Sequence, residues 1–135
     1  MIAAGDVFWF PDDQRQPDGQ GHYYVVLSDP SLYPDQLLLV NFSTWDDDYK
    51  DDACFLEVPP DCDLPYLRHT SCIEYDRAEC FTLAGLEFLL KKRVIREVGA
   101  LPQDIFEKVL KGAAITERLP MQYEMLLEDQ GIRNP

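Results

Sequence analysis

No apolar run in this chain approaches the roughly 18–20 residues that a membrane-spanning helix needs. The opening residues, Met1-Ile2-Ala3-Ala4-Gly5-Asp6, hold neither a basic segment nor a long apolar one, so no secretory signal is expected and the cytoplasm is the expected address. There is no C-x-x-C pair, and the usual seed of a structural zinc site is therefore missing. There is no G-x-S-x-G turn, which argues against a Ser-His-Asp hydrolase. Basic residues are scarce, with 12 Lys and Arg against 25 Asp and Glu and a net charge of −13. The scarcity is uneven. Residues 1–90 hold 18 acids and 4 bases (−14), whereas residues 91–135 hold 7 acids and 8 bases (+1). A body of that sign repels a phosphate backbone unless a local basic cluster overcomes it.

Repeats, low-complexity tracts and long linkers are also absent, so residues 1–135 read as one domain, with a barrel over about 5–98 and a helical part over about 102–130. A hydrophobic fraction of 46% is enough to build a core without metal or disulfide. The four cysteines, Cys54, Cys62, Cys72 and Cys80, would allow two disulfides by count. A reducing cytosol disfavours these, and small buried hydrophobes is the expectation. The acidic run Asp46-Asp47-Asp48-Tyr49-Lys50-Asp51-Asp52 reads as a solvated loop, since it lacks the alternating ligands and central glycine of an EF-hand.

The first two-thirds is punctuated like a small twisted sheet. Asp6–Phe10 is an aromatic run stopped by Pro11-Asp12-Asp13, and a polar loop with Pro17, Gly19 and Gly21 follows. His22–Leu27 is a second strand, and the nearly all-apolar Gln36–Phe42 is a third, expected to be central and covered on both faces. Ala53–Val58 and Ser71–Tyr75 are the fourth and fifth. Thr82 can cap a helix through about Leu90, and Arg93–Val98 should be the last strand, closed by Gly99. Pro102 then opens a helix with Ile105, Phe106, Val109, Leu110 and Ala113 on one apolar face. Pro120 starts a second segment with a thinner stripe, Met121, Met125 and Leu126, ended by Gly131.

The order of these pieces resembles the PemK/MazF-type toxins over roughly residues 5–114. Gly5-Asp6-Val7-Phe8-Trp9-Phe10 is similar to their opening strand, and His22-Tyr23-Tyr24-Val25-Val26-Leu27-Ser28-Asp29 to their second. Leu38-Leu39-Val40-Asn41-Phe42-Ser43-Thr44 resembles their third strand, which ends in a proline-leucine-threonine or -serine motif. Ser71–Arg77 and Val98-Gly99-Ala100-Leu101-Pro102 resemble later segments. The resemblance implies a mainly β fold, an SH3-like twisted barrel with C-terminal helices, usually a homodimer. It also implies a metal-independent, cofactor-free endoribonuclease on single-stranded RNA, restrained by a protein antitoxin. That chemistry needs a base for the ribose 2′-hydroxyl, an acid for the leaving 5′-oxygen, and cations for the phosphorane charge.

The family's strand-two arginine is replaced here by His22-Tyr23, while Ser43 and Thr44 occupy the matching end of strand three. Histidine moves protons near neutral pH but supplies no permanent guanidinium fork. A second cluster, Arg68-His69-Thr70-Ser71, is where a cation, a histidine and two hydroxyls coincide in the first ninety residues. The expected catalytic set is therefore His22, Ser43, Thr44 and His69, with Arg68, Ser71 and Arg77 as substrate contacts. Nothing in the spacing of His22, His69 and Cys62 demands a metal. The basic run Lys91-Lys92-Arg93 suits the end of a helix. The alternative on the same fold is a non-catalytic acidic module that binds a basic protein partner.

Overall fold

The strand-forming runs pair in a computed structural model that describes residues 1–45, 52–57 and 64–134. Six strands arise in chain order: β1 (Asp6–Pro11), β2 (Gly21–Val26), β3 (Leu37–Thr44), β4 (Phe55–Leu56), β5 (Ser71–Phe81) and β6 (Arg96–Ala100). Helix α1 (Leu83–Lys91) lies between β5 and β6, and α2 (Gln103–Ile115) and α3 (Met121–Asp129) follow β6. The strands form one sheet of order β4-β5-β3-β2-β1-β6, antiparallel at every pairing. The sheet curls into a half-barrel, the mainly β fold with C-terminal helices expected from the sequence.

β3 is central, between β2 and β5, and Leu37, Leu38, Leu39 and Val40 are all fully buried. Its two-residue period explains why. Leu38, Val40 and Phe42 join a core with Val7, Val25, Ile73 and Tyr75 on one face of the sheet. Leu37 and Leu39 join Phe8, Val26, Leu86 and Ile95 on the other. Helices α2 and α3 cover the first face through Ile105, Val109, Ala113, Leu126 and Leu127, and α1 covers the second. The Ile105–Ala113 stripe is thus core-facing as expected. The thinner stripe is split: Leu126 is buried, but Met121 and Met125 are exposed, at 75% and 59%. Leu127 takes the inward place, because the helix turns the residue after Leu126 toward the sheet and Met125 away from it.

The caps follow from local chemistry. Thr82 Oγ1 accepts the Gly85 amide at 2.9 Å and starts α1. α1 ends on Arg93, which adopts a positive φ of 60°. The Arg93 amide donates to the Leu90 carbonyl and the Val94 amide to that of Leu89, both at 3.0 Å, a Schellman closure built without glycine. This shifts the last strand from the expected Arg93–Val98 to Arg96–Ala100. Gly99 lies inside that strand rather than after it, at φ 144°, where the β1–β6 register shifts. α3 closes in the same way on Gly131, φ 74°. The Gln130 side chain then ties this end to the sheet: it accepts from Ser28 Oγ and donates to the Gln36 carbonyl, each at 2.7 Å.

β5 runs six residues past the expected stop at Tyr75. Its register against β3 changes between Leu39↔Glu79 and Asn41↔Glu74, so Tyr75–Ala78 form a bulge rather than an end. β4 is shorter than Ala53–Val58, and Val58 lies outside the described residues. Most of the acidic run (46–51), Asp61, Cys62 and Asp63 also lie outside them. Cys54 and Cys72 are buried as expected, but Cys80 is exposed. Among the described residues no helix is long and apolar enough to cross a membrane.

Candidate functional site

Antiparallel pairing decides which chain segments meet. Tyr24 pairs with Asn41, while Ser43 and Thr44 pair with Cys72 and Ser71. The start of β2, the end of β3 and the start of β5 therefore lie at one end of the sheet. The loop entering β5 closes against it: the Trp45 amide donates to the Thr70 carbonyl at 2.8 Å, and Ser71 Oγ donates to the His69 carbonyl at 2.6 Å.

These segments enclose a cleft of about 540 Å³. His22, Ser43, Thr44, Arg68, His69 and Ser71 all line it. Six of the seven residues singled out from the sequence are thus brought together. Arg77 is not among them. The β5 bulge carries it to a different hollow, where its Nε pairs with Glu74 Oε2 at 3.2 Å. The basic run Lys91–Arg93 lines neither hollow; Lys92 lies over the Phe88 ring, 5.7 Å from its centroid.

Most of the remaining cleft wall is aromatic, made by Tyr23, Phe42, Trp45 and Tyr66 beside Gly21 and Pro65. Tyr66 meets Phe42 at a centroid distance of 5.3 Å and Tyr23 at 6.2 Å, and its hydroxyl donates to the Ala100 carbonyl at 3.2 Å. Trp45 stands edge-on to Phe55 at 4.8 Å. Sequence reading missed this wall, although the period of two already places Tyr23 and Phe42 on the core face of their strands. Gly21 permits the close approach at the rim, since a Cβ there would strike the Phe10 carbonyl and come within 2.6 Å of the Trp9 ring.

A second residue that sequence reading missed is Asp12, in the polar loop after β1. His22 Nδ1 lies 2.9 Å from Asp12 Oδ1. A carboxylate only accepts, so Nδ1 is the donor in this pair and Nε2 stays outside it. Two imidazoles, a guanidinium, three hydroxyls and four aromatic rings in one cleft can move protons, contact an anionic oxygen and stack planar bases. Among the described residues, no group of three or more His, Cys, Asp or Glu is placed to hold a metal ion.

His22 also borders the other hollow, about 340 Å³, on the opposite face of the sheet. Phe10, Tyr24 and Phe81 wall it, and Asn41, Arg77 and Glu79 reach it from β3 and β5. Burial, reinforced by the charge of Glu79, pushes the Tyr24 phenol up to about 12.

A curled antiparallel sheet with a polar cleft at one end and helices on both faces is the class of architecture defined here. Among solved structures, the chain is similar to one in the crystal structure of MazE-MazF (Form-II) from Deinococcus radiodurans. The TM-score is 0.50 at 13% identity, and the match covers 82% of this chain and 89% of the other. At that identity the likeness is one of fold. No family model matches the chain, and no curated protein matches it.

Proposed function

We propose that this chain is a diverged toxin-type protein of the PemK/MazF kind: a single-domain, cytoplasmic endoribonuclease that cuts single-stranded RNA without a metal, held in check by a protein antitoxin and working as a homodimer. The observation that carries the reading is the gathering of His22, Ser43, Thr44, Arg68, His69 and Ser71 around one cleft with aromatic walls. The fold likeness to a chain of a MazE-MazF complex supports the toxin–antitoxin setting.

In this reading Asp12 orients His22, whose Nε2 takes the proton of the ribose 2′-hydroxyl. The freed oxygen attacks the adjacent phosphorus, the bond to the 5′-oxygen breaks, and His69 returns a proton to that leaving oxygen. The products are a 2′,3′-cyclic phosphate and a 5′-hydroxyl. Arg68 takes the place of the family's missing arginine against the phosphorane charge, with Thr44, Ser43 and Ser71 hydroxyls donating to its oxygens. The aromatic wall stacks the flanking bases, each such contact contributing about 1–3 kcal/mol.

The test is cleavage of a single-stranded RNA by purified protein in the presence of chelator. His69→Ala and Thr44→Ala are each expected to lower the rate by at least about a hundredfold, the usual size of a positioned acid for His69 and of a transition-state hydrogen-bond donor for Thr44. Cutting undiminished in both variants would reject the site. The acidic-module reading is favoured by one observation: among the described residues Arg68 is the one guanidinium lining the cleft, in a chain of net charge −13. It requires no cleavage at all, and a basic partner that is released as salt rises.

A further inference from the structure

The second hollow contains a feature that RNA chemistry does not use. Asn41 is 1% exposed, and its Oδ1 has no hydrogen-bond partner. It shares a face with its register partner Tyr24 and lines the hollow beside it. A buried acceptor left unmatched bears its full desolvation cost, so it calls for a donor from outside the chain.

Two further properties narrow that donor. The first is charge. Asp12 and Glu79 line the hollow, and the guanidinium that also lines it, Arg77, is already paired with Glu74. Burial is the main cause that holds the proton on Tyr24; among the charges Glu79 acts most strongly in the same direction and Arg77 opposes it, so Glu79 is the carboxylate that bears most on this wall. A phosphate or an RNA strand is repelled there, and a cation is drawn in. The second is shape. Phe10 meets Tyr24 edge-on at 4.9 Å and Phe81 at 5.4 Å, so three rings form one continuous wall. A planar, weakly hydrated cation stacks on such a wall while its fork of N–H groups reaches acceptors at the side.

We infer that this hollow binds a guanidinium group, the side chain of an arginine on a peptide partner, with Asn41 Oδ1 and the Glu79 carboxylate accepting its N–H groups and the wall of Phe10, Tyr24 and Phe81 enclosing it, one ring face against its plane. The site does not depend on RNA cleavage. The chain's excess of acid in residues 1–90 then serves to draw a basic segment toward a specific seat.

The experiment is an NMR titration of the full chain with the peptide acetyl-Gly-Arg-Gly-amide and with its lysine and citrulline counterparts. The arginine peptide should give saturable shifts centred on Tyr24, Asn41 and Glu79, and on His22 at the rim. The lysine and citrulline peptides should bind roughly tenfold more weakly, or worse. Glu79→Gln, an exposed change that does not threaten folding, should weaken the arginine peptide by a similar factor and leave RNA cleavage as it was. Asn41→Leu should fold and lose the peptide. Citrulline or lysine binding as tightly as arginine would overturn the assignment. So would shifts scattered over the acidic surface, or a Glu79→Gln protein that binds as before.

Discussion

Gly112 of α2 packs closely against Tyr75 of β5, and replacing it with alanine tests that packing directly. In an ordinary exposed helix interior, Gly→Ala stabilises by about 0.8–1 kcal/mol. Here the new methyl would land on the Tyr75 hydroxyl, 2.9 Å from Cys54 Cβ and 3.0 Å from the Ala53 carbonyl oxygen. Tyr75 cannot yield cheaply. It is fully buried, and its hydroxyl donates to the Val109 carbonyl at 2.7 Å. Overpacking costs about 1–3 kcal/mol and a lost hydrogen bond about 0.5–1.5 kcal/mol more. These terms exceed the helix gain, so Gly112→Ala should destabilise by about 1–3 kcal/mol and lower Tm by roughly 3–12 °C. Thermal and urea unfolding followed by circular dichroism measure it. In a Tyr75→Phe background the same change should cost less, because the first obstacle is gone. Cys54 leads into β4, whose Phe55 supports Trp45 in the cleft wall, so RNA cleavage should fall with stability. A Gly112→Ala protein with a higher Tm would refute the packing argument.

Tyr24 ionises near 12 in the folded chain against about 10 unfolded, so its share of stability is whole below pH 10 and declines as pH rises toward 12. Spectrophotometric titration, compared with a Tyr24→Phe protein, should assign a late phenol to Tyr24, and Glu79→Gln should bring it down; a difference spectrum that places Tyr24 at the ordinary tyrosine value counts against the burial described. Thr82→Ala removes the cap of α1 and should cost about 1 kcal/mol in urea unfolding, since the Gly85 amide loses its acceptor. An unchanged midpoint would mean that the first turn of α1 is satisfied by water.

Much of the fold was legible because its cues are local. The apolar run at Leu37–Val40 marks a central strand covered on both faces, and the Ile105–Ala113 stripe marks the inward face of a helix, each without reference to the rest of the chain. The errors share one origin. Asp76-Arg77 looks like the end of a strand, but a bulge lets β5 continue and turns Arg77 toward Glu74. Arg93 looks like the start of a strand, but the tertiary path needs a left-handed residue there to finish α1. Met125 looks like part of a core stripe, and only the angle at which α3 meets the sheet shows that Leu127 holds that place instead.

The candidate site divides along the same line. Residue types were enough to mark His22, Ser43, Thr44, Arg68, His69 and Ser71 as chemically able, because imidazoles, hydroxyls and a guanidinium carry their reactivity wherever they sit. Their meeting in one cleft, the Asp12 carboxylate behind His22, the aromatic wall and the unmatched Asn41 acceptor across the sheet were decided by strand register and curl. Those are set by contacts between residues far apart in the chain, and a pattern read along one strand holds no information about its neighbour's alignment.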